Sequence, residues 1–510
     1  MTTPMRVTDL VEAAAAAYGR RAAIREDGDG CTYADLVGRV AAIADRLAAL
    51  GVRPGDRVVV VAENTAWTIV AWLALGHLDA WPMLASARLA PGEIDALVER
   101  CDARLVLYVT VRFDAVARHA GRRGARTLFN GPPGSIAVED RPGDRSPEPV
   151  PANPGAAVAA MISTSGSTGE PKAAMLTHAN LVWLARTQSR LRRYGPDDRV
   201  YLPLPIVYAG ALASISLTAL ASGACLHLAA RFSAADLARS LREDGITVVP
   251  GVPALHARVV AWARDHAGGF AAPRVRMVTS ASSPLDRDLK ASVEALYDVP
   301  LQNGYGLTET TAVVAQTRLD EPRADASVGR PLPAVDVRIV DDDGHSLGAG
   351  AIGRIEVRGP NLFRGYYRDA DATRAAFTPD GWLRTGDLGF LDSPGELGIV
   401  GRVKDVIKHA GYTVHPAEVE AALAAHPAVV SAAIVGRPRG ADEEIVAYVQ
   451  LVDGASLRPG ELAAFVADRI AGYKIPREIR VVPSLPALAN GKPDRMALRR
   501  IVQPGATRTP

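Results

Sequence analysis

Apolar residues recur at helical spacing from Ala34 to Leu50 (ADLVGRVAAIADRLAAL), and Gly51 ends the run, which predicts an amphipathic helix. After the turn Pro54-Gly55-Asp56 comes Arg57–Ala62 (RVVVVA), a continuous apolar stretch of the kind that forms strands buried on both faces. Leu105–Val109 and Thr247–Pro250 repeat the theme, with helical segments between them. Strands alternating with helices predict α/β layers with largely parallel sheets. Tyr201–Ala230 carries no charge and is long enough to span a bilayer. Pro203, Pro205, Gly210 and Gly223 interrupt it, so it reads as a buried strand, an Ala/Ser-rich helix and a second strand at Ala224–Ala229. From about Val328 short strands and turns take over, which predicts a small β-rich, barrel-like subdomain. Beyond Arg402 the pattern is α+β: a helix at Pro416–Ala425, strands at Val430–Val435 and Ile445–Leu451, and a helix at Gly460–Ile470. Gly131–Pro154, rich in Gly, Pro, Asp and Arg, reads as a surface linker.

A chain of 510 residues suits roughly two to four domains. Hydrophobic residues at 48% and charged residues at 22% exclude a disordered or fibrous chain. Lys plus Arg number 58 against 56 Asp plus Glu, with no basic stripe, which argues against nucleic acid as a partner. The three cysteines, Cys31, Cys101 and Cys225, are too far apart for a metal knuckle and too few for a disulfide framework. With no basic segment followed by an apolar one at the N-terminus, a cytoplasmic protein is expected.

The strongest local signal is Thr164-Ser165-Gly166-Ser167-Thr168-Gly169-Glu170-Pro171-Lys172, directly after the apolar run Ala156–Ile162. A strand leading into a Ser/Thr/Gly loop sets backbone N–H groups and hydroxyls around phosphate oxygens, and the lysine adds charge. The spacing is not that of a Walker loop. Gly348–Gly353 fits GxGxxG, but the strand-like RIEVR follows it where a helix is needed, so it reads as a turn. Asp341–Asp343 before Gly344 reads as a hairpin tip rather than a metal site.

Four further motifs follow the loop in order: Tyr305-Gly306-Leu307-Thr308-Glu309, Thr385-Gly386-Asp387, Gly401–Lys408 (GRVKDVIK) and Asn490-Gly491-Lys492. Together they resemble the ordered motif set of the adenylate-forming superfamily, which includes acyl-CoA synthetases, peptide-synthetase adenylation domains and firefly luciferase. Taken singly, Lys492 would be a turn lysine, Asp387 a loop cap, Tyr305 a core aromatic and Glu309 a carboxylate at a helix start; the ordered set reverses those readings. The resemblance implies a large N-terminal α/β domain of several subdomains, residues 1–403, and a small α+β lid, residues 404–510. The implied reaction joins a carboxylate to the α-phosphate of ATP, releasing pyrophosphate, after which a thiol displaces AMP. Lys492, Glu309 and Thr308 are the implied catalytic residues. Thr164, Ser165, Gly166, Ser167, Thr168, Gly169 and Lys172 hold phosphates, and Glu309 with Thr168 holds Mg²⁺. Tyr305 stacks on adenine, Asp387 takes the ribose hydroxyls and Arg402 assists. Ser282, Asn303, Gly304, Gly306 and Lys408 complete the nucleotide set. Lys404 falls at the hinge of a rotating lid, and Gly411 borders the pantetheine channel.

The acid is less legible. In Leu202–Gly210 (LPLPIVYAG), Pro205 and Ile206 stand where many relatives have an aromatic and a His. Ile206, Val207 and Ala211 are therefore expected to line an apolar acid pocket, with no buried cation for a second carboxylate. A fatty, aromatic or polycyclic acid follows. No carrier domain follows Lys492, so free CoA is the expected thiol. Loading of a carrier-protein phosphopantetheine is the alternative, and an inactive nucleotide-binding homologue a third reading. ATP, Mg²⁺ and CoA are the implied cofactors, a homodimer is compatible, and no integral membrane segment is expected.

Overall fold

Two sheets of buried strands form the core of the first of two compact units, which comprises Met1–Leu285, Leu289–Val337 and Val357–Leu383. The structure, a computed structural model, describes residues 5–26, 29–109, 113–131, 134–141, 145–164, 172–266, 268–409, 412–439, 442–452, 454–458, 460–487 and 493–502. One sheet has nine strands, parallel from Leu301–Tyr305 through Met277–Ser280, Val248–Gly251, Arg199–Leu202 and Cys225–Leu228 to Ala22–Glu26, with antiparallel additions at both edges. The other has eight, with Arg57–Ala62 parallel to both Trp81–Ser86 and Leu105–Val109. The apolar strands expected at Arg57–Ala62 and Leu105–Val109 are buried throughout.

Helix Ala66–His77 touches Ala22–Glu26 of one sheet and Arg57–Ala62 and Trp81–Ser86 of the other. Ala66–Gly76 are all buried, so this helix is apolar on every side instead of striped. Its Trp72 donates a 2.9 Å hydrogen bond to the carbonyl of Ala159, which satisfies the one polar atom of a large buried ring. The amphipathic helix spans Tyr33–Ala49. Thr32 caps it by accepting from the Asp35 N–H, and Asp35 returns a bond to the Thr32 N–H.

The uncharged stretch resolves as expected into the strand Arg199–Leu202, a helical segment and the strand Cys225–Leu228. Among the described residues no helix is long and apolar enough to cross a membrane. The first eight residues of the helical segment, Gly210–Leu217, are π-helical. One expectation fails. Gly134–Asp140, assigned to a surface linker, is a strand paired with both Leu105–Val109 and Arg126–Gly131. Ile136 and Val138 are fully buried there, and this short apolar core was hidden by the turn-forming residues on either side.

The second unit comprises Asp286–Asp288, Arg338–Glu356 and Arg384–Pro510. Four strands, Asp336–Val340, Gly353–Arg358, Leu383–Leu391 and Leu397–Arg402, pair in that order. Gly348–Ala351 is the turn the sequence indicated, and Gly350 has φ +79°. Asp341 accepts the N–H groups of Asp343 and His345 at the neighbouring hairpin tip. The unit also holds Val429–Arg439, Asp442–Leu451 and Glu478–Val481 in one sheet, with helices Pro416–Ala424 and Glu461–Ala467. Residues 338–356 and 384–403 thus cluster with the C-terminal segment instead of the N-terminal one. Strand Leu397–Arg402 touches helix Pro416–Ala424, which ties them together.

Candidate active site

Strand Leu301–Tyr305 ends at Gly306, where a Cβ would lie 2.1 Å from the carbonyl oxygen of Ala312. Only glycine lets the returning chain approach so closely. The chain then makes one 3₁₀ turn at Thr308–Thr310 and passes through Thr311 and Ala312 with φ +50° and +80°. Left-handed backbone at two consecutive non-glycine residues is strain of order 1–3 kcal/mol each, characteristic of functional sites. Asn361 holds the turn from outside: its carbonyl accepts from Thr311 Oγ1 at 2.7 Å, and its amide donates to Val313 O at 3.0 Å.

This scaffold presents Glu309. Its carbonyl accepts from the Phe363 N–H at 2.9 Å, and its carboxylate accepts a 2.7 Å bond from the hydroxyl of Tyr366. Tyr366 pairs with Ala174 in antiparallel register, next to Lys172 at the end of the phosphate-loop motif. The Nζ of Lys172 lies 5.1 Å from the centre of the Tyr366 ring, within cation–π range. One tyrosine therefore joins the lysine of one motif to the carboxylate of another. Burial, and then the charge of Glu309, drive the Tyr366 phenol above its ordinary range, so it remains a donor. Sequence reasoning missed Tyr366, because its partner is 57 residues away and Arg364-Gly365-Tyr366-Tyr367 resembles any aromatic strand. Among the described residues the other Glu309 oxygen takes no hydrogen bond, a donor suited to a hard divalent cation.

The other predicted residues fall into place unevenly. Asn303 is buried and gives its amide to the carbonyls of Ala326 and Ser327, so it holds a loop. Ser282 adopts φ +75° just past the strand Met277–Ser280. In the second unit Asp387 and Arg402 are directly opposite on antiparallel strands, with Arg402 Nε donating to Asp387 at 2.7 Å. Thr385 Oγ1 accepts from the Asp387 N–H at 3.1 Å, and Gly386 at φ +74° makes that turn. Lys404 sits in a single 3₁₀ turn, Val403–Asp405. Burial, and then the like charge of Arg402, lower its ammonium pKa. Arg499 donates to Lys404 O and Asp405. Lys408 lies on the strand Ile407–His409. Ser165, Gly166, Ser167, Thr168, Gly169, Gly411 and Lys492 lie outside the described residues.

A cavity of about 70 Å³ opens at the C-terminal ends of Met277–Ser280 and Leu301–Tyr305, where α/β sheets place ligands. Ser280, Gly304, Tyr305 and Ala312 line it, together with Gln188, Arg192, Ser214 and Ile215. Ile206, Val207 and Ala211 are buried but are not among the lining residues. Asn64 holds that stretch, accepting from the Ile206 N–H at 2.8 Å and donating to Leu204 O at 2.9 Å. Ser214 and Ile215, within the π-helical turns, reach the cavity instead, and such turns often mark functional sites. The expectation of no buried cation fails, because Arg192 is buried on the cavity wall. Burial pulls its guanidinium pKa down to about 10.

The sequence matches the family described as AMP-binding enzyme over residues 11–367, and AMP-binding enzyme C-terminal domain over 418–492. It is 33% identical to an indoleacetate–CoA ligase of Aromatoleum aromaticum, covering 98% of both chains. It is 32% identical to a sulfoacetate–CoA ligase of Cupriavidus necator, covering 93% of each. ATP-bound MatB from Rhodopseudomonas palustris superposes with a TM-score of 0.84 at 29% identity, covering 98% of this chain and 99% of that one. Motif order, fold and similarity over nearly the whole length agree: the chain belongs to the AMP-binding enzyme family of the adenylate-forming superfamily and is an AMP-forming acid–thiol ligase.

Proposed function

We propose that this enzyme activates a compact carboxylic acid with ATP and transfers the acyl group to CoA. The observation that carries the reading is the contact of Lys172 and Glu309 on Tyr366, in the same unit as the cavity flanked by Tyr305. A carboxylate is a poor nucleophile toward a polyanion, so such a site must cancel charge and align the reactants. Lys172 and the loop before it supply charge and donors to the phosphates. Glu309, set by Tyr366, would hold Mg²⁺ with Thr168, and the bound ion would neutralise phosphate charge. Tyr305 stacks on the base, and Asp387 accepts from the ribose hydroxyls with Arg402 beside it. Lys492 stabilises charge at the α-phosphate during adenylation; the C-terminal domain, which we place from Lys404 onward, then turns so that Gly411 borders the thiol path.

The cavity bears on the acid. An engineered cavity of about 150 Å³ accommodates benzene, so about 70 Å³ favours a short acid over a long-chain or polycyclic one. Indoleacetate and sulfoacetate, in the names of the two relatives, differ in size and charge, so similarity alone does not choose between them.

The test is AMP release from ATP with a panel of short and single-ring acids, with CoA and with a phosphopantetheinylated carrier protein as alternative thiols. Thioester on CoA is the expected product. Thioester only on the carrier would replace CoA with the alternative, and pyrophosphate release with no acid would overturn the ligase reading.

A further inference from the structure

Arg192 follows the helix His178–Leu191 and is only 5% exposed. Among the described residues its one side-chain hydrogen bond runs from Nη1 to Gln302 Oε1 at 3.0 Å, which engages one of five N–H donors. No carboxylate pairs with it among the described residues, and the charges it feels come from Tyr194 and the like-charged Arg318. A buried charge normally has an opposite partner, because desolvation otherwise opposes folding strongly. The polar groups nearby also offer donors. Gln188 Nε2 donates to Gln316 Oε1 at 2.9 Å, and the buried Gln316 Nε2 finds no acceptor among the described residues. The buried Ser280 hydroxyl has no partner among the described residues either. Arg192, Gln316 and Ser280 all line the one cavity, which Gly304, Tyr305 and Ala312 also border.

We propose that the acid this enzyme activates carries a second oxyanion, a carboxylate or sulfonate, remote from the reacting carboxylate and held by Arg192 with Gln316. The inference rests on the cavity being the acid site of the reaction above. A guanidinium offers paired N–H groups matched to such an oxyanion, and the Gln316 amide adds a third donor. The incoming anion gives the buried cation the opposite charge that the described residues do not supply. An apolar acid of the same size would leave that cation and two further polar groups unmatched, the circumstance in which polar sites discriminate most strongly.

Matched acids decide the question: pentanoate against glutarate, phenylacetate against 4-carboxyphenylacetate, and butanoate against 3-sulfopropanoate, each assayed for CoA-dependent AMP release. Wild-type enzyme is expected to favour the oxyanion member of at least one pair by tenfold or more in kcat/KM. In Arg192→Met that ratio should fall at least 100-fold, mainly through KM for the acid, while Arg192→Lys should fall between. Gln316→Leu should lower the ratio less, and melting temperature checks that each variant is folded. Wild-type preference for the apolar member of every pair would overturn the proposal without any variant. An unchanged ratio in folded Arg192→Met would overturn it too, and leaves the ligase reading standing. No AMP with CoA from any acid would overturn both.

Discussion

The hydroxyl of Tyr366 donates a 2.7 Å hydrogen bond to Oε1 of Glu309, and the same ring lies under the ammonium of Lys172. A hydrogen bond to a charged group contributes about 1.5–3 kcal/mol. Tyr366→Phe should therefore slow adenylation by roughly 10- to 150-fold and raise the Mg²⁺ concentration at half-maximal rate. Pyrophosphate release followed across a Mg²⁺ titration tests this. An unaltered rate and Mg²⁺ dependence would show that Tyr366 only fills space.

Gly306 permits the Ala312 carbonyl to close the turn that carries Glu309. In Gly306→Ala the added methyl should cost roughly 1–3 kcal/mol of stability, the usual penalty for overpacking. Tm should fall, with a larger loss of activity as the turn moves. Gly304→Ala is the contrast, because its Cβ would meet nothing nearer than 3.4 Å. Equal Tm loss in both variants would sink the steric account.

Acid should destabilise this fold through three histidines. Burial holds His178, His227 and His256 at about 4, against an ordinary value near 6.5. Between those values the unfolded chain binds more protons, so stability falls as pH drops from about 6.5 toward 4 and is unaffected above that window. His178 gives the reason in geometry: its Nδ1 accepts from the Val7 N–H at 3.1 Å, which a protonated nitrogen cannot do. Urea midpoints at pH 7.5 and 5.0 should differ clearly, and the difference should shrink in His178→Gln. A flat pH profile over that range would refute the assignment.

The two half-reactions should separate genetically. Lys492→Ala should abolish acyl-adenylate formation by several orders of magnitude and largely spare thioester formation from a pre-made adenylate. Lys404→Pro, which locks φ near −65°, should do the reverse and leave adenylation measurable. If both variants lose both half-reactions alike, Lys492 is structural or Lys404 is not a hinge.

The sequence by itself determined what depends on near neighbours along the chain. The strand Arg57–Ala62 and the helix at Tyr33–Ala49 follow from periodicity and a Thr32 cap, both local properties of the chain. Motif order likewise marked the loop after Thr164, the Glu309 turn and the opposed pair Asp387 and Arg402, because each depends on residues close in sequence or on a fixed order. Tertiary structure decided the rest. Gly134–Asp140 became a strand through its pairing with Leu105–Val109 and Arg126–Gly131. Tyr366 reached Glu309 only because Gly365 and Tyr366 pair beside Lys172–Thr177. Arg192, one of many arginines in the sequence, became distinctive when packing buried it on a cavity wall with no carboxylate partner among the described residues. Hydrophobic period and motif spacing are written along the chain, whereas the partner of a buried charge is set by segments more than a hundred residues apart, as Arg192 and Gln302 are, and exists only once the sheets have formed.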